Sequence, residues 1–248
     1  MAIYTLWLRE MKRFIRFRSR VVSSLATPIF WLLLFGVGLT TAFRFPGLGR
    51  LSYLEFMAPG IVGMTLLFAS TFAGVSVLWD RQFGFLKEIM VAPVSRTHIV
   101  LGKTIGGATT SLIQGGIMLI VTLLVGIKFS LSGFFIAFLF MILISIGYVA
   151  FGLIFAAKME DPHGFQMIMS FLIMPMFFLS GALFPLDRVP HWLRSLSCIN
   201  PLTYGVDGMR GALIGNSVFP LWTDFIILVT FCLITISLAS YFFEKTTV

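Results

Sequence analysis

The sequence predicts an all-α membrane protein with six membrane-spanning helices. Hydrophobic residues make up 58% of the 248 residues and charged residues only 11%, whereas a soluble domain carries roughly 25% charged residues. Long windows also lack charged side chains, and a helix crosses the hydrocarbon core with about 20 apolar residues. The short alternation of barrel strands is missing from these windows. Composition and window length together disfavour a soluble globule and a β-barrel.

Six windows bounded by charged residues have the length of a span. They lie at 20–44, 55–80, 103–128, 128–158, 161–187 and 224–244. Helices are the expected form, because a helix satisfies its own backbone hydrogen bonds in lipid. No repeat or linker divides the chain, so we expect one transmembrane domain over residues 1–248.

Residues 1–20 predict an amphipathic helix that lies in the membrane interface. One broad helical face is apolar and the basic residues fall largely on the other. The apolar set is Ile3, Leu6, Trp7, Met11, Phe14, Ile15 and Phe17, and the basic set is Arg9, Lys12, Arg13, Arg16 and Arg20. A solvated basic tail is the alternative.

The distribution of Lys and Arg predicts the orientation. When the segments between spans are assigned alternately to the two sides, 12 of the 18 basic residues fall on the side of the termini and 6 on the other. Cytoplasmic loops carry the excess of basic residues. Both termini are therefore predicted to be cytoplasmic. The net charge of +8 is explained by this pattern without a nucleic-acid partner.

The connection at residues 80–98 is the longest predicted cytoplasmic loop after the N-terminus. A short helix is expected from about Arg81 to Val91, ending before Pro93 because proline disfavours a helical residue ahead of it. Such a helix presents an apolar and a charged face, which suits a soluble partner protein. A solvated loop or an interfacial helix remains the alternative.

Residues 184–215, between the fifth and sixth spans, predict a pair of re-entrant half-helices on the external side. Their apolar pieces are too short to cross a membrane and are interrupted by prolines and glycines. Asp207 and Arg210 are one helical turn apart, so they could pair with each other. A gate that closes the exit is the functional interpretation, and a purely structural cap is the alternative.

Motifs for catalysis, nucleotide binding or metal binding are not found. Gly102-Lys103-Thr104 lacks the upstream glycine of a P-loop, because Thr97 stands at that position. Lys103 is therefore expected to snorkel toward the interface. The three histidines, His98, His163 and His191, do not have metal-ligand spacing. The spans carry no acid or base at mid-depth, which disfavours a proton-coupled pump or an ion channel.

Two segments closely resemble the most recognisable parts of the ABC-2 type exporter permeases. They are WDRQFGFLKEIMVAPVSR, at 79–96, and LSGALFPLDRVPHWLRSLSCINPLTYGVDGMRGAL, at 179–213. The second is the more specific, since Ser180, Gly181, Pro185, Pro190, Trp192, Asn200, Pro201 and Arg210 have the family's spacing. The absence of a large external domain resembles the half-size exporters of bacteria and archaea, which implies a prokaryotic plasma membrane.

The resemblance implies a permease that lacks an ATPase of its own. In that family two permease subunits, here expected to form a homodimer, join two separate subunits that bind ATP and magnesium. The resemblance places ATPase coupling on Arg81, Gln82, Phe83, Gly84, Leu86, Lys87, Glu88 and Ile89. We assign an external gate to Phe184, Pro185, Trp192, Asn200, Pro201, Tyr204, Asp207 and Arg210. No cofactor is expected on this chain itself.

The expected cargo is a hydrophobic or amphipathic solute, such as a drug, a lipid or a glycan-linked molecule, that is moved outward. The fifth span is rich in Met and Phe at 167–181. It could line a lipid-like pathway, or it could simply face lipid or a second subunit. A membrane-embedded enzyme or a channel remains the alternative function.

Overall fold

The computed structural model describes residues 2–38, 52–85, 95–127 and 129–245. Every regular element within these ranges is helical, as the sequence predicts. The α-helices are α1 (Ala2–Arg16), α2 (Arg18–Trp31), α3 (Tyr53–Ala73), α4 (Val75–Gln82), α5 (Arg96–Leu124), α6 (Leu131–Lys158), α7 (Pro162–Leu179), α8 (His191–Ile199), α9 (Pro201–Ile214) and α10 (Leu221–Glu244). A π-helix, Leu32–Val37, continues α2, and a 3-10 turn, Leu186–Arg188, precedes α8.

Five helical segments of the described chain are long and apolar enough to cross a membrane. They are α3 with α4 (Tyr53–Gln82), α5, α6, α7 and α10. A sixth candidate is the pair formed by α1 and the helix after it, which are bent by 72° relative to each other. The first predicted span, 20–44, begins in α2 and continues into residues outside the described ranges.

Side-chain caps mark where several spans begin. The first N–H groups of a helix have no partner within the helix, so an oxygen just before it stabilises that end. Ser52 and Glu55 form a reciprocal capping box at α3, and the Ser130 hydroxyl accepts from the Gly133 amide at 3.0 Å. Asp161 accepts from the amides of His163 and Gly164, and these hydrogen bonds lower the pKa of the Asp161 carboxyl.

The centre of the bundle is α3, which packs against α5, α6 and α9. Its close contact with α6 depends on glycine. A Cβ atom placed on Gly152 would collide with the carbonyl of Thr71, and one on Gly74 would lie 2.8 Å from the Gly152 backbone. Because neither glycine carries a side chain, the two spans approach backbone to backbone.

Residues 184–215 contain two short helices, in agreement with the half-helices predicted there, and their external position stays a prediction. The helix α8 has 9 residues and α9 has 14, fewer than the ~20 needed to cross a membrane. The half-helix α9 is buried against α3, α6 and α10, whereas α8 exposes Trp192, Leu196 and Ile199. The structure therefore places α9 within the bundle and α8 on its surface.

Candidate transport cavity and coupling region

A cavity of about 470 Å3 lies between α1, α2, the α3–α4 span, α5 and α7. Its apolar lining includes Phe14, Phe17, Met64, Phe68, Phe72 and Met174. Its polar lining includes Ser23, Ser24, Thr27, Thr65, Ser76, Thr110, Gln114, Gln166 and Ser170, and the charged residues Glu10 and Arg13 also line it. A volume of this size suits a small amphipathic molecule, since ligand pockets typically occupy ~300–1,000 Å3.

Polar residues at helical spacing form much of the cavity wall. Thr110 and Gln114 lie four residues apart on α5, and Gln166 and Ser170 lie four apart on α7. Residues four apart share one face of a helix. Sequence reasoning missed this cavity, although the repeated polar positions within apolar spans were a signal that could have located it.

A hydrogen bond across the cavity wall ties α2 to α5. The Ser24 hydroxyl donates to Oε1 of Gln114 at 2.5 Å, and Nε2 of Gln114 donates to the Thr110 carbonyl at 3.4 Å. Hydrogen bonds at both Oε1 and Nε2 thus fix the orientation of the Gln114 side-chain amide. This bond holds α2 in place as one wall of the cavity.

Four charged residues meet beside the cavity, at the end of the bundle predicted to be cytoplasmic. We call Arg9, Glu10, Asp80 and Lys103 the α1 charge cluster. Both guanidinium nitrogens of Arg9 donate to the Asp80 carboxylate, at 2.8 and 2.5 Å. The Lys103 ammonium donates to Asp80 at 2.5 Å and to Glu10 at 2.7 Å. Asp80 and Lys103 are each only 3% exposed.

The α1 charge cluster corrects one prediction from the sequence. Lys103 does not snorkel to the interface but is buried among two carboxylates and the Ser76 hydroxyl. The reason is that acids on α1 and α4 offer this cation partners, and a partnered charge can be buried. Arg9, one of the basic residues of α1, keeps one-third of its side chain exposed and pairs with Asp80. The interfacial position of α1 stays a prediction.

The described part of the coupling segment differs from the expected helix between Arg81 and Val91. Arg81 and Gln82 form the last turn of α4, and the chain then turns at Gly84, which has a φ of 75°. Glycine adopts this left-handed conformation without steric cost, so the helix ends there. The remaining coupling residues, Leu86, Lys87, Glu88 and Ile89, lie outside the described residues.

The four described coupling residues have different surroundings. The Arg81 guanidinium donates to the carbonyls of Met159 and Ala157 at 2.7 and 3.2 Å, so it binds the end of α6. The Phe83 ring stacks on Trp79 at 6.0 Å but is 79% exposed. Phe83 is therefore an exposed apolar side chain next to the turn at Gly84, whereas Arg81 holds the end of α4 against α6.

The predicted gate residues of the external segment divide into an exposed and a buried group. Trp192 is 65% exposed, while Phe184 and Pro185 are partly buried. Asn200 caps α9 through the Leu202 amide and donates to the Met176 carbonyl at 2.6 Å. Pro201 then occupies the first helical turn. This junction fixes α9 to the end of α7.

Tyr204, Asp207 and Arg210 are buried on two successive turns of α9 but bind different partners. The Tyr204 hydroxyl donates to the Cys198 carbonyl at 2.7 Å. The Asp207 carboxylate accepts from the amides of Val218 and Phe219. Arg210 donates to backbone carbonyls of α3 and of the chain after α7. The expected ion pair between Asp207 and Arg210 is therefore not formed, because each side chain is engaged by backbone groups.

The fold and the cavity define a polytopic helical membrane protein with an amphipathic cavity that is partly open at the surface of the chain. Residues 1–214 match the ABC-2 type transporter family. A relative named as the transport permease ycf38, from Cyanophora paradoxa, is 32% identical over 214 residues, which cover 84% of this chain and 73% of the relative. The chain therefore belongs to the ABC-2 type transporter family.

Two further relatives have names that describe membrane transport or nodulation. The inner membrane transport permease YadH of Escherichia coli K12 is 27% identical over 241 residues, covering 93% of this chain and 90% of YadH. Nodulation protein J of Rhizobium leguminosarum bv. viciae is 24% identical over 202 residues, covering 81% of this chain and 77% of that protein. The family comprises transport permeases and generally works with an ATPase subunit.

Proposed function

We propose that this chain is the membrane permease subunit of an ATP-driven exporter and that it moves a hydrophobic or amphipathic solute outward. Membership of the ABC-2 type transporter family supports transport. The observation that carries the finer proposal is the cavity, whose wall joins aromatic side chains to hydroxyl and amide groups. A molecule with an apolar body and hydrogen-bonding groups, such as a drug, a lipid or a glycan-linked carrier, fits both kinds of lining.

The energy source in this proposal is a separate ATPase chain that binds ATP and magnesium. The exposed Phe83, next to the turn at Gly84, supports a docking position for such a partner. Buried aromatic anchors carry much of the affinity of protein interfaces. The cavity and this segment share one helical span, Tyr53–Gln82, since Met64 and Phe72 line the cavity and Gln82 ends the span. That span can transmit motion between them.

A second permease subunit, in a homodimer, completes the proposed transporter. The helix α7 presents an exposed apolar face that contains Met167, Ile168, Phe171, Met174 and Phe178. Met174 on this face also lines the cavity, so a copy packed there would close the cavity on its outer side. The assembly resides in a prokaryotic plasma membrane with both termini in the cytoplasm.

Substrate-stimulated ATP hydrolysis tests the proposal. The chain is co-purified with its ATPase, reconstituted, and screened with amphipathic compounds, with Ser170→Phe as the variant that fills the cavity. Leu233→Phe adds the same ring to the exposed face of α10, outside the cavity lining, and is the matched control. Stimulation that is lost in Ser170→Phe and kept in Leu233→Phe is expected. Equal stimulation in both variants, or failure to co-purify with any ATPase, would reject the proposal and favour an enzyme or channel.

A further inference from the structure

We propose that Asp80 is a positioning residue that locks α1 to the coupling end of the bundle, so that motion of the coupling segment reaches the rim of the cavity through α1. This inference rests on the proposed function. Asp80 lies in the last turns of α4, two residues before Gln82, where the span ends. It binds Arg9 on α1 and Lys103 on α5. One carboxylate thus connects three helices at this point.

The coupling segment also contacts α1 directly. The Arg9 guanidinium carbon lies 3.8 Å from the centre of the Phe85 ring, a cation–π distance. Arg9 therefore contacts both Asp80 and Phe85, the residue that follows the turn at Gly84. A displacement of the coupling segment would carry Arg9, and α1 with it.

The other side of the α1 charge cluster reaches the cavity. Glu10 and Ser76 both contact the Lys103 ammonium, and both line the cavity. Arg13, one turn further along α1, lines it as well. A continuous series of side-chain contacts therefore reaches the cavity rim. It runs from Phe85 through Arg9, Asp80 and Lys103 to Glu10.

Close packing makes α1 and α5 one unit around this cluster. A Cβ atom on Gly102 would lie 2.9 Å from the Leu6 side chain, and one on Gly106 would lie 2.9 Å from Glu10. The Trp7 indole N–H donates to the Thr109 hydroxyl at 3.1 Å. These contacts hold the two helices together without charge, so docking of α1 can be disturbed independently of the ion pairs.

Charge balance alone is the competing explanation for the cluster. Two cations and two acids are present, and removing one of them would leave an uncompensated buried charge. The double variant Asp80→Ala with Lys103→Met separates the two explanations, because Arg9 and Glu10 then remain and balance each other. The α1 charge cluster is again neutral in this variant, while the side-chain contacts that join α1, α4 and α5 through residue 80 are lost.

Two readouts are measured in the reconstituted permease–ATPase complex. The first is the amount of solute transported per ATP hydrolysed, and the second is amide hydrogen exchange of α1. We expect the double variant to remain monodisperse and to hydrolyse ATP, but to transport about tenfold less solute per ATP and to exchange faster in α1. Lys12→Gln, which removes an exposed charge from the same helix, should match the wild type in both.

A variant that leaves every charge in place makes the test independent of the ion pairs. The added side chain in Gly102→Val would clash with Leu6. This variant should show the same loss of solute transported per ATP and the same faster amide hydrogen exchange in α1. Gly116→Val is its matched control, since nothing lies within 4 Å of a Cβ atom at that position of α5. Wild-type coupling and exchange in both the double variant and Gly102→Val would overturn the proposal. Failure of the wild type itself to transport would count against the proposed function instead.

Discussion

Arg210 shows at the residue scale how a charge is held inside this membrane protein. Its Nε and one terminal nitrogen donate to the carbonyls of Phe56 and Gly181 at 3.2 and 2.8 Å. The guanidinium also lies 3.9 Å from the centre of the Phe56 ring. An arginine offers several donors in one plane, so it can satisfy carbonyls from two segments at once. Arg210 therefore fastens α9 to α3 and to the end of α7.

Replacing Arg210 with Ala should lower the free energy of unfolding by about 2 kcal/mol. Two buried carbonyls would lose their donor, and the cation–π contact with Phe56 would be lost. Thermal unfolding in detergent measures the effect. Arg194→Ala, on the exposed surface of α8, is the control and should change stability little. Equal stability of the two variants would show that Arg210 does not fasten α9.

Single residues also show which contacts could not be predicted from the sequence. The spacing of Asp207 and Arg210 correctly put them on one helical turn, but their true partners are amides and carbonyls from other segments. Likewise, Lys103 was expected at the interface because its partners, Asp80 and Glu10, are 23 and 93 residues away in sequence. Local spacing is visible in a sequence, whereas contacts between distant segments depend on how the helices pack.

At the element scale, the spans were predictable because each needs about 20 apolar residues and a defined end. The windows 103–128, 128–158 and 161–187 each contain most of one helix, α5, α6 and α7. The helix expected from about Arg81 was not predictable in the same way. Arg81 and Gln82 instead end α4, and a left-handed turn at Gly84 follows, which only the folded chain shows.

The coupling segment gives a prediction at this scale. Phe83→Asp should abolish binding of the ATPase subunit and leave the permease monodisperse in detergent, because a charge would replace an exposed apolar anchor. Phe83→Leu keeps an apolar side chain at the same position and should bind normally. Pull-down of the ATPase from detergent extracts measures binding. Normal recovery of the ATPase with Phe83→Asp would place the docking surface elsewhere.

The whole molecule has a predicted orientation that labelling can test. Cysteine at exposed Ser217 should react with an impermeant thiol reagent in intact cells, whereas cysteine at Ser95 should react only after lysis. Cys198 and Cys232, the free thiols of the described chain, are first replaced. Ser217 is preferable to Ser52, whose side chain caps α3. Labelling of Ser95 from outside would reverse the orientation assigned from the basic residues.

The external segment gives a second prediction for the assembled dimer. Cross-linking α8 to its symmetry mate through cysteine at Ser195 should block export while ATP still binds, if residues 184–215 form the exit gate. Ser195 is exposed, whereas Ser197 is fully buried and donates to the Leu193 carbonyl. Ser195 is therefore the suitable position. A normal export rate after complete cross-linking would show that this segment is a structural cap and not an exit gate.

The central claim is ATP-driven movement of an amphipathic solute through this subunit. Its most direct test uses vesicles that contain the permease with its ATPase, loaded so that ATP is available only on the side of the termini. A fluorescent amphipathic compound should move to the opposite side when ATP is added, and Ser170→Phe should stop that movement while Leu233→Phe does not. Movement that proceeds equally without ATP, or that is unaffected by filling the cavity, would contradict the claim.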